Sequence, residues 1–377
     1  MIELDEIIGQ EEAIGRLMSN MSAGRMPHAL LFAGPCGVGR CTTAVALAKL
    51  LLCKTPAVDL IGRPKACNKC DSCRLMNAGT HPDFAIVKKE LARYHEDASV
   101  RSRVMQDLGI DVIRSFLIDP AYQAASMGRG RIFVVEETDL MSIAAQNSLL
   151  KTLEEPPAGV TIILLTDKPD QLLPTTRSRC AFLRFVPLPH DFVIARLVEN
   201  EVSQEEAQFW AAFTDGSVGL ALEYAKQNFY PVKRELISDI ARLAEGYVPL
   251  GDDWSKIADS LADAQVGVVK KEANANLSKN LAMRQVTGIM LRLIAGAFAD
   301  ALTLATGSTP PLMHADQSQE IQRIAKNHRA ADLAMIIERL SEYERLLWRN
   351  VNAKTVWDNA AISCSAGVGN ITAEIFK

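Results

Sequence analysis

Short apolar runs alternate with helix-like segments through the first half of the chain. The runs His28–Ala33, Arg131–Val135 and Val160–Leu165 are bounded by turn or charged residues and predict buried strands. Thr42–Leu52 and Ile143–Leu153 have helical spacing, and the second is followed by a pair of prolines that stops it. Because strands alternate with helices, the pattern predicts a parallel sheet covered on both faces.

The strand pattern ends near Pro189, and the remaining chain predicts helices. Asp191–Asn200 and Gln204–Thr214 have helical spacing, followed by glycines at 216 and 219 that interrupt the pattern. We predict a loop at Gly307–Pro311, and Lys326–Val351 places Ile337, Leu340, Tyr343 and Leu347 at amphipathic helical spacing. The fold class is therefore α/β plus all-α.

Chain length indicates more than one domain. At 377 residues the chain exceeds a comfortable single core. We place an α/β domain at residues 1–188, a small helical domain at 189–230 and a larger helical domain at 231–377.

Charge and hydropathy exclude two classes of protein. The net charge is −4, with 41 basic and 45 acidic residues, which excludes an autonomous electrostatic DNA binder. The acidic N-terminus has no signal-peptide apolar segment, and the apolar runs we find are too short to cross a bilayer. We expect a cytoplasmic protein with no membrane partner.

A glycine-rich loop follows the first predicted strand. Residues 34–41 fit the phosphate-binding pattern G-x-x-x-x-G-K-[ST] at Gly34 and Gly39, with a further glycine at Gly37. Arg40 replaces the lysine that reaches the phosphates, and Cys41 replaces the hydroxyl that holds Mg²⁺. A thiol is a poor ligand for Mg²⁺, and an arginine is not equivalent to a lysine at a point-charge site. The pattern predicts a nucleotide scaffold altered for hydrolysis, and leaves open whether ATP or ADP is still held.

Two further groups have a functional and a purely structural interpretation. Glu136 and Glu137 follow the second strand, where P-loop ATPases organise Mg²⁺ and water, but an acidic turn with a capping role fits equally well. Arg177 and Arg179 lie in a loop and are typical of a solvated surface, although an arginine reaching a neighbour's γ-phosphate would stabilise its transition state. The glycine-rich turn at Asp215–Ala221 indicates little by itself.

Four of the eight cysteines are clustered. Cys67, Cys70 and Cys73 form C-x₂-C-x₂-C, and Cys53 lies fourteen residues upstream. Four thiolates suit a closed tetrahedral Zn²⁺ site. The rivals are an iron–sulfur cluster, whose usual fourth cysteine position is Asn77 here, and reduced cysteines without metal. The spacing favours a structural zinc.

The order of these motifs resembles the clamp-loader branch of the AAA+ ATPases. The cysteine module inside the ATPase domain and the Ser-Arg-Cys motif at 178–180 are similar to those of the bacterial DNA polymerase III clamp loader. The series is Ile8–Gln10, Pro27–Phe32, the glycine loop, the four cysteines, Gly79–Asp83, the acidic pair, Asn147–Pro157 and Arg177–Cys180. The match is strong over about residues 5–225 and rests on helical character beyond. It implies an AAA+ P-loop domain with a zinc module inserted at about 53–80, a small helical lid domain and a C-terminal helical collar domain.

Two subunit types of that assembly share the motifs. Gamma/tau subunits keep Gly-Lys-Thr and hydrolyse ATP, whereas the delta-prime branch has an altered loop and acts as a rigid stator. Arg40 and Cys41 give this chain an altered loop similar to that of the delta-prime branch. Leu220 agrees with that resemblance, because it stands where active subunits usually have the second-sensor arginine. Thr166 would occupy the first-sensor position, and Glu136 departs from the usual aspartate.

The resemblance also implies site residues and partners. It implies zinc on the four clustered cysteines, no ATPase activity of the chain alone, and Arg179 as an arginine finger for ATP on a neighbouring gamma/tau subunit. The implied partners are gamma/tau and delta subunits and, through the complex, the sliding clamp and primed DNA, within the DNA polymerase III holoenzyme, a nucleotidyltransferase complex. Two alternatives stay open: a gamma-like ATPase that tolerates the altered loop, and a zinc-stabilised interaction scaffold in which Arg179 has no role.

Overall fold

The structure is a computed structural model, and it describes residues 2–59, 62–101, 107–244, 251–272, 278–308, 311–349 and 351–365. The chain divides into two compact units. The first comprises Met1–Phe192 with Asp215–Leu220, and the second comprises Val193–Thr214 with Ala221–Lys377. The three-domain division stays a prediction.

A parallel sheet forms the centre of the first unit. Among the described residues its strands are β1 Ala29–Ala33, β4 Phe84–Val87, β5 Arg131–Val135, β6 Val160–Thr166 and β7 Ala181–Arg184, and a separate antiparallel pair consists of β2 Ala57–Val58 and β3 Pro64–Lys65. The spatial order of the large sheet is β4-β5-β6-β1-β7. Every neighbouring pair in it is parallel, so all carboxyl ends lie at one edge.

The three predicted strands are confirmed, and two further strands of the same sheet were missed, as was the short β2-β3 pair. β1, β5 and β6 are nearly continuous runs of buried apolar residues, as expected of strands covered on both faces. The sequence analysis did not predict β4 and β7, which lie at the two edges of this sheet. Both are only partly buried, so their hydrophobic pattern is weaker.

Helices cover both faces of the sheet. In chain order the helices that begin in the first unit are α1 Glu11–Ser22, α2 Arg40–Leu52, α3 Asp71–Asn77, α4 Ala98–Arg101, α5 Ile110–Ile113, α6 Asp119–Ala121, α7 Ile143–Glu154, α8 Pro174–Arg177 and α9 His190–Glu199, which continues into the second unit after Phe192. The same unit has 3₁₀ turns at Leu4–Glu6, Lys89–Tyr94, Thr138–Leu140 and Pro169–Gln171 and a π turn at Arg114–Ile118. α7 buries Leu149 and Leu153 against the face of the sheet that carries Leu31 and Phe133. The predicted helices at Thr42–Leu52 and Ile143–Leu153 are thereby confirmed.

The described residues of the second unit form helices and the turns between them, with no strand. Its helices are α10 Gln204–Phe213, α11 Val218–Lys226 (which begins in the first unit), α12 Phe229–Ala244, α13 Gly251–Glu272, α14 Lys279–Ala305, α15 Ser318–Asn327, α16 Ala330–Leu347 and α17 Ala353–Cys364, with a 3₁₀ turn at Ala315–Gln317. This confirms the helical character predicted for the second half.

Helix α14 has an apolar stretch that the sequence analysis overlooked. By length and composition alone it could cross a membrane. Its apolar side chains have a different use here, because Val286, Met290, Ile294 and Phe298 are buried where α14 packs against α13, α15 and α16. Its composition is therefore that of a central helix in a helical core.

The helical spacing predicted within Lys326–Val351 is confirmed over Ala330–Leu347, and a break in the helix precedes it. α15 ends at Asn327, His328 and Arg329 have extended backbones, and α16 begins at Ala330. Arg329 donates to Asp332 in the first turn of α16, which stabilises the new start. In the predicted loop Gly307–Pro311, residues 309 and 310 lie outside the described residues.

Candidate functional site

The glycine loop lies at the carboxyl edge of the sheet, between β1 and α2. Gly39 precedes α2 with φ of 101°, and its carbonyl accepts the Thr43 N–H at 2.8 Å, the first bond of the helix. Gly37 also has a left-handed backbone, with φ of 74°. Strand, loop and helix thus have the arrangement that is typical of phosphate-binding loops.

The segment Asp215–Leu220 packs directly on this loop. The Ser217 hydroxyl donates to the Cys36 carbonyl at 2.7 Å, and the Gly219 N–H donates to the Gly37 carbonyl at 3.0 Å. A β-carbon on Gly37 would come within 2.2 Å of the Ser217 oxygen, so glycine is required there by contact as well as by φ. Sequence analysis gave this segment little weight, because glycine-rich turns are common.

Gln10 holds the loop from a third direction. Its side-chain amide donates to the carbonyls of Val38 at 3.2 Å and Val186 at 2.8 Å, while its oxygen accepts the Val186 N–H at 3.0 Å. Gln10 is itself buried. The loop is therefore anchored by hydrogen bonds to segments far from it in sequence.

The position that holds Mg²⁺ in active P-loops is occupied by an interaction between Cys41 and Glu136. The thiol donates to the Glu136 carboxylate across 3.2 Å. Burial, and next the charge of Glu136, raise the pKa of Cys41 to about 12, so the thiol stays protonated at neutral pH. Beside it, Nη1 of Arg40 is buried and has no hydrogen-bond acceptor among the described residues. The structure thus brings Arg40, Cys41 and Glu136 together at the start of α2.

Glu137 lies apart from this group. It has a left-handed backbone with φ of 49°, is exposed, and pairs with Lys89 at 2.8 Å. Thr166, at the end of β6, donates to Asp139 at 3.0 Å. Of the two acids predicted after the second strand, Glu136 alone contacts the predicted Mg²⁺ position within the described part of the chain.

Arg179 lies at the opposite edge of the sheet from the glycine loop. β7 runs parallel to β1 with Ala181 beside Leu30, so the turn preceding β7 is at the amino edge. The two edges are separated by the length of β1, about 15 Å. Arg179 donates through Nε to Glu154 at 2.5 Å and through Nη1 to the Thr175 carbonyl at 2.7 Å.

The four clustered cysteines converge on one point. Their sulfur atoms all lie within 4.8 Å of one another, with Cys53 and Cys70 4.0 Å apart and Cys67 and Cys73 3.9 Å apart. A tetrahedral zinc with Zn–S bonds near 2.3 Å requires sulfur separations of about 3.8 Å. The geometry therefore fits one zinc ion with four thiolate ligands.

Backbone N–H groups surround these sulfur atoms. The N–H of Cys67 donates to the Cys53 sulfur at 3.3 Å, and the N–H of Cys70 donates to the Cys67 sulfur at 3.3 Å. Hydrogen bonding by the Thr55 side chain, followed by the N–H groups of Lys69 and Cys70, lowers the pKa of Cys67 to about 5. Such donors favour the thiolate form that a metal ion requires.

A buried ion pair joins this cluster to the N-terminal segment. Lys49 of α2 lies 2.6 Å from Glu3, and both side chains are buried. Asn68, between the clustered cysteines, donates to the same Glu3 oxygen at 2.9 Å. Sequence analysis missed this network because a glutamate near the N-terminus carries no pattern that marks it as buried.

Comparison of this sequence with known proteins identifies the family that it resembles. Residues 9–189 match the model of the family "DNA polymerase III, delta subunit", and residues 268–358 match "DNA polymerase III, delta subunit, C terminal". DNA polymerase III subunit delta' of Escherichia coli K12 is 33% identical over 245 residues, which span 64% of this chain and 66% of the relative. The delta' subunit of Bacillus subtilis 168 is 25% identical over 370 residues, spanning 97% of this chain and 98% of the relative.

A gamma/tau-type relative matches a smaller share. DNA polymerase III subunit tau of Salmonella typhimurium LT2 is 35% identical over 228 residues, which cover 59% of this chain but 32% of the relative. The similarity to delta' from Bacillus subtilis extends over nearly both whole chains, whereas that to tau is partial.

Proposed function

This chain belongs to the DNA polymerase III delta-prime family of clamp-loader subunits, and we propose that within such a complex it is a stator that does not hydrolyse ATP. As such it holds its place in the subunit ring and completes the active site of a neighbouring ATPase. The proposed partners are gamma/tau and delta subunits, and the complex as a whole acts on the sliding clamp and primed DNA in the cytoplasm.

The hydrogen bond between Cys41 and Glu136 carries the first part of this proposal. Hydrolysis in P-loop enzymes needs a hydroxyl ligand and an acidic residue arranged around Mg²⁺. Here the position of the hydroxyl is a neutral thiol that donates to that acid. Mg²⁺ prefers oxygen ligands, so this arrangement supports loss of hydrolysis.

The position of Arg179 supports the second part. The residue lies at the amino edge of the sheet, while the chain's own glycine loop lies at the carboxyl edge. An arginine so placed serves no phosphate bound at that loop. A nucleotide on an adjacent subunit is the target that remains, and stabilising its transition-state charge is the role of an arginine finger.

We also propose that Cys53, Cys67, Cys70 and Cys73 hold one structural zinc. Four protein ligands leave no open position for substrate, so the ion would supply folding stability and no chemistry of its own. The convergence of the sulfur atoms supports this assignment.

Steady-state ATP hydrolysis tests the function. We expect no turnover by the purified chain with Mg²⁺, and stimulated turnover once gamma/tau, delta, clamp and primed DNA are added. Arg179→Ala should lower turnover of the complex, because loss of a trans finger costs ~10³–10⁵-fold at the active site it completes in other P-loop NTPases. Arg177→Ala is the matched control, because Arg177 pairs with Asp170 at 2.7 Å, away from Glu154.

The outcomes of these hydrolysis assays distinguish the proposed stator from a gamma-like ATPase and from an interaction scaffold. Turnover by the chain alone would mean that Arg40 and Cys41 are tolerated and that this is a gamma-like ATPase. Unchanged turnover of an assembled Arg179→Ala complex would remove the finger and leave an interaction scaffold.

A further inference from the structure

The guanidinium of Arg179 is held along one side. Its Nε and Nη2 groups both donate to the same oxygen, Oε1 of Glu154, and the Nε distance is 2.5 Å. Its Nη1 group donates to the Thr175 carbonyl at 2.7 Å. A guanidinium has five N–H donors in a planar fork. Three are engaged by these contacts, so one N–H on each terminal nitrogen has no acceptor among the described residues.

The two remaining donors suit a phosphate. They lie on the two terminal nitrogens, the pair that forms a double hydrogen bond with a carboxylate or a phosphate. The side chain of Arg179 is 30% exposed, so it is accessible to a group outside this chain. Glu154 therefore occupies the side edge of the fork and leaves the outer donors available.

Glu154 is itself held firmly. It is the last residue of α7, and Pro156 and Pro157 follow it closely. The preceding Leu153 is fully buried, and its carbonyl lies 2.9 Å from Nε2 of His28 at the start of β1. The backbone that carries the Glu154 carboxylate is thus fixed to the sheet.

We propose that Glu154 is a positioning residue that orients Arg179 toward the γ-phosphate of a neighbouring subunit's ATP. This inference rests on the trans role proposed for Arg179 and adds a residue that acts through it. Without Glu154 the long Arg179 side chain samples many rotamers, and the entropic cost of fixing one of them falls on the reacting complex. With Glu154 the rotamer is fixed within this chain before the subunits assemble.

The opposite role for the same contact is an inhibitory latch. A carboxylate that competed with phosphate for the outer donors would have to be displaced before catalysis. The contacts favour positioning, because Glu154 engages Nε and only one donor of Nη2. The two roles predict opposite signs when Glu154 is removed.

The test uses the reconstituted complex and a double-mutant cycle. Glu154→Ala, Glu154→Gln and the control Glu155→Ala are each made in the wild-type chain and in the Arg179→Ala chain. Glu155 is the adjacent exposed acid, so it matches Glu154 in charge and place. Assembly of each complex is checked by size-exclusion chromatography before kcat and KM for ATP are measured.

We expect Glu154→Ala to lower kcat about ten- to hundredfold, the scale of a catalytic group misplaced by about 1 Å. KM for ATP should change little, because the finger acts on the transition state. Glu154→Gln should restore most of the loss, since its amide oxygen can accept the same two donors. In the Arg179→Ala chain, Glu154→Ala should have no further effect.

Each contrary result has one meaning. Unchanged or raised kcat in Glu154→Ala, with a strong effect of Arg179→Ala, overturns the positioning role while leaving the finger in place. An equal loss from Glu154→Ala in both backgrounds also overturns it, because the effect would not pass through Arg179. No effect of Arg179→Ala itself overturns the proposed function.

Discussion

The thiol of Cys41 donates a hydrogen bond to the carboxylate of Glu136 across 3.2 Å. In an active P-loop enzyme these two positions are joined through Mg²⁺. Here they are joined directly, and one carboxylate oxygen of Glu136 accepts from a neutral donor. The altered residues of the loop therefore contact each other where an active enzyme would place the metal ion.

The first prediction concerns the reactivity of this thiol. Because the pKa of Cys41 is raised to about 12, roughly one thiol in ten thousand is ionised at pH 8. Iodoacetamide should therefore modify Cys41 much more slowly than the exposed Cys36, as followed by peptide mass spectrometry. Glu136→Gln removes a negative charge and should speed the modification of Cys41 several-fold. Equal rates at Cys36 and Cys41 in the wild-type chain would contradict this account.

The second prediction concerns zinc. Elemental analysis of the purified chain should give one zinc per molecule and none of the visible absorption of an iron–sulfur cluster. Cys73→Ser removes a buried ligand and should abolish stoichiometric zinc and lower Tm. Cys36→Ser, outside the cluster, should change neither property. A wild-type chain that is purified without zinc, and whose Tm does not change when zinc is added, would refute the metal site.

The third prediction concerns the buried ion pair of Lys49 and Glu3. Lys49→Met leaves the Glu3 carboxylate buried without its cation, which should lower the free energy of unfolding by ~3–5 kcal/mol in urea titrations. Lys65→Met breaks the half-exposed pair of Lys65 with Asp5 and should lower the free energy of unfolding far less, because solvent screens that pair. Similar losses in the two variants would show that burial of the first pair has no energetic weight.

The fourth prediction concerns pH. Burial lowers the pKa of His314. Asp300 opposes this shift, because its carboxylate accepts a hydrogen bond from Nδ1 of His314 at 2.9 Å. Lys233 and Asp316 are the other charged groups that act on the ring. The pKa of His314 in the folded state lies below its value near 6.5 in the unfolded state. At a pH between these two pKa values, the folded state therefore binds fewer protons than the unfolded state. Stability is thus complete above about pH 6.5 and is lost as pH falls toward the folded pKa.

Thermal unfolding between pH 7 and pH 5 measures this contribution. The slope is at most about 1.4 kcal/mol per pH unit for one group. His314→Asn should flatten the pH dependence of Tm, whereas His190→Gln, at an exposed histidine, should leave it unchanged. A His314→Asn chain with the wild-type slope would assign the effect to other groups, such as the buried His81, whose pKa burial also lowers.

The central strands could be predicted because their physics is local. Arg131–Val135 is a strand over the residues expected, since a strand buried on both faces is an uninterrupted apolar run. The edge strand Ala181–Arg184 has one open side and includes the exposed Phe182, so no run or clear alternation marks it. Local pattern therefore identifies the middle of this sheet better than its borders.

The break at His328 and Arg329 shows a different limit. Apolar residues recur at helical spacing on both sides of it, and neither residue is a proline or a glycine. At the break His328 makes tertiary contacts that the local sequence does not show: it is buried, and its ring meets Phe298 edge to face. Periodicity detects a helical face but does not require one continuous helix.

The residues of the candidate sites also differ in how far sequence alone could identify them. The cysteine cluster was identifiable because its ligands are mostly close in sequence and their type is rare. The pairing of Arg179 with Glu154 spans 25 residues and joins two common charged side chains, so only the packing of α7 beside the turn before β7 reveals it. The role of Ser217 was hidden for the same reason, 181 residues from its acceptor at Cys36.

The segment Asp215–Leu220 has a consequence for dissecting this protein by truncation. A fragment that stops at Phe192 contains the whole sheet, the cysteine cluster and the glycine loop, yet it lacks six residues that fold with them. In that fragment the carbonyls of Cys36 and Gly37 lose the donors that Ser217 and Gly219 provide. Nucleotide-binding assays on such a fragment would report on a loop with an open flank. A cut after residue 220 or later keeps the native surroundings of the loop.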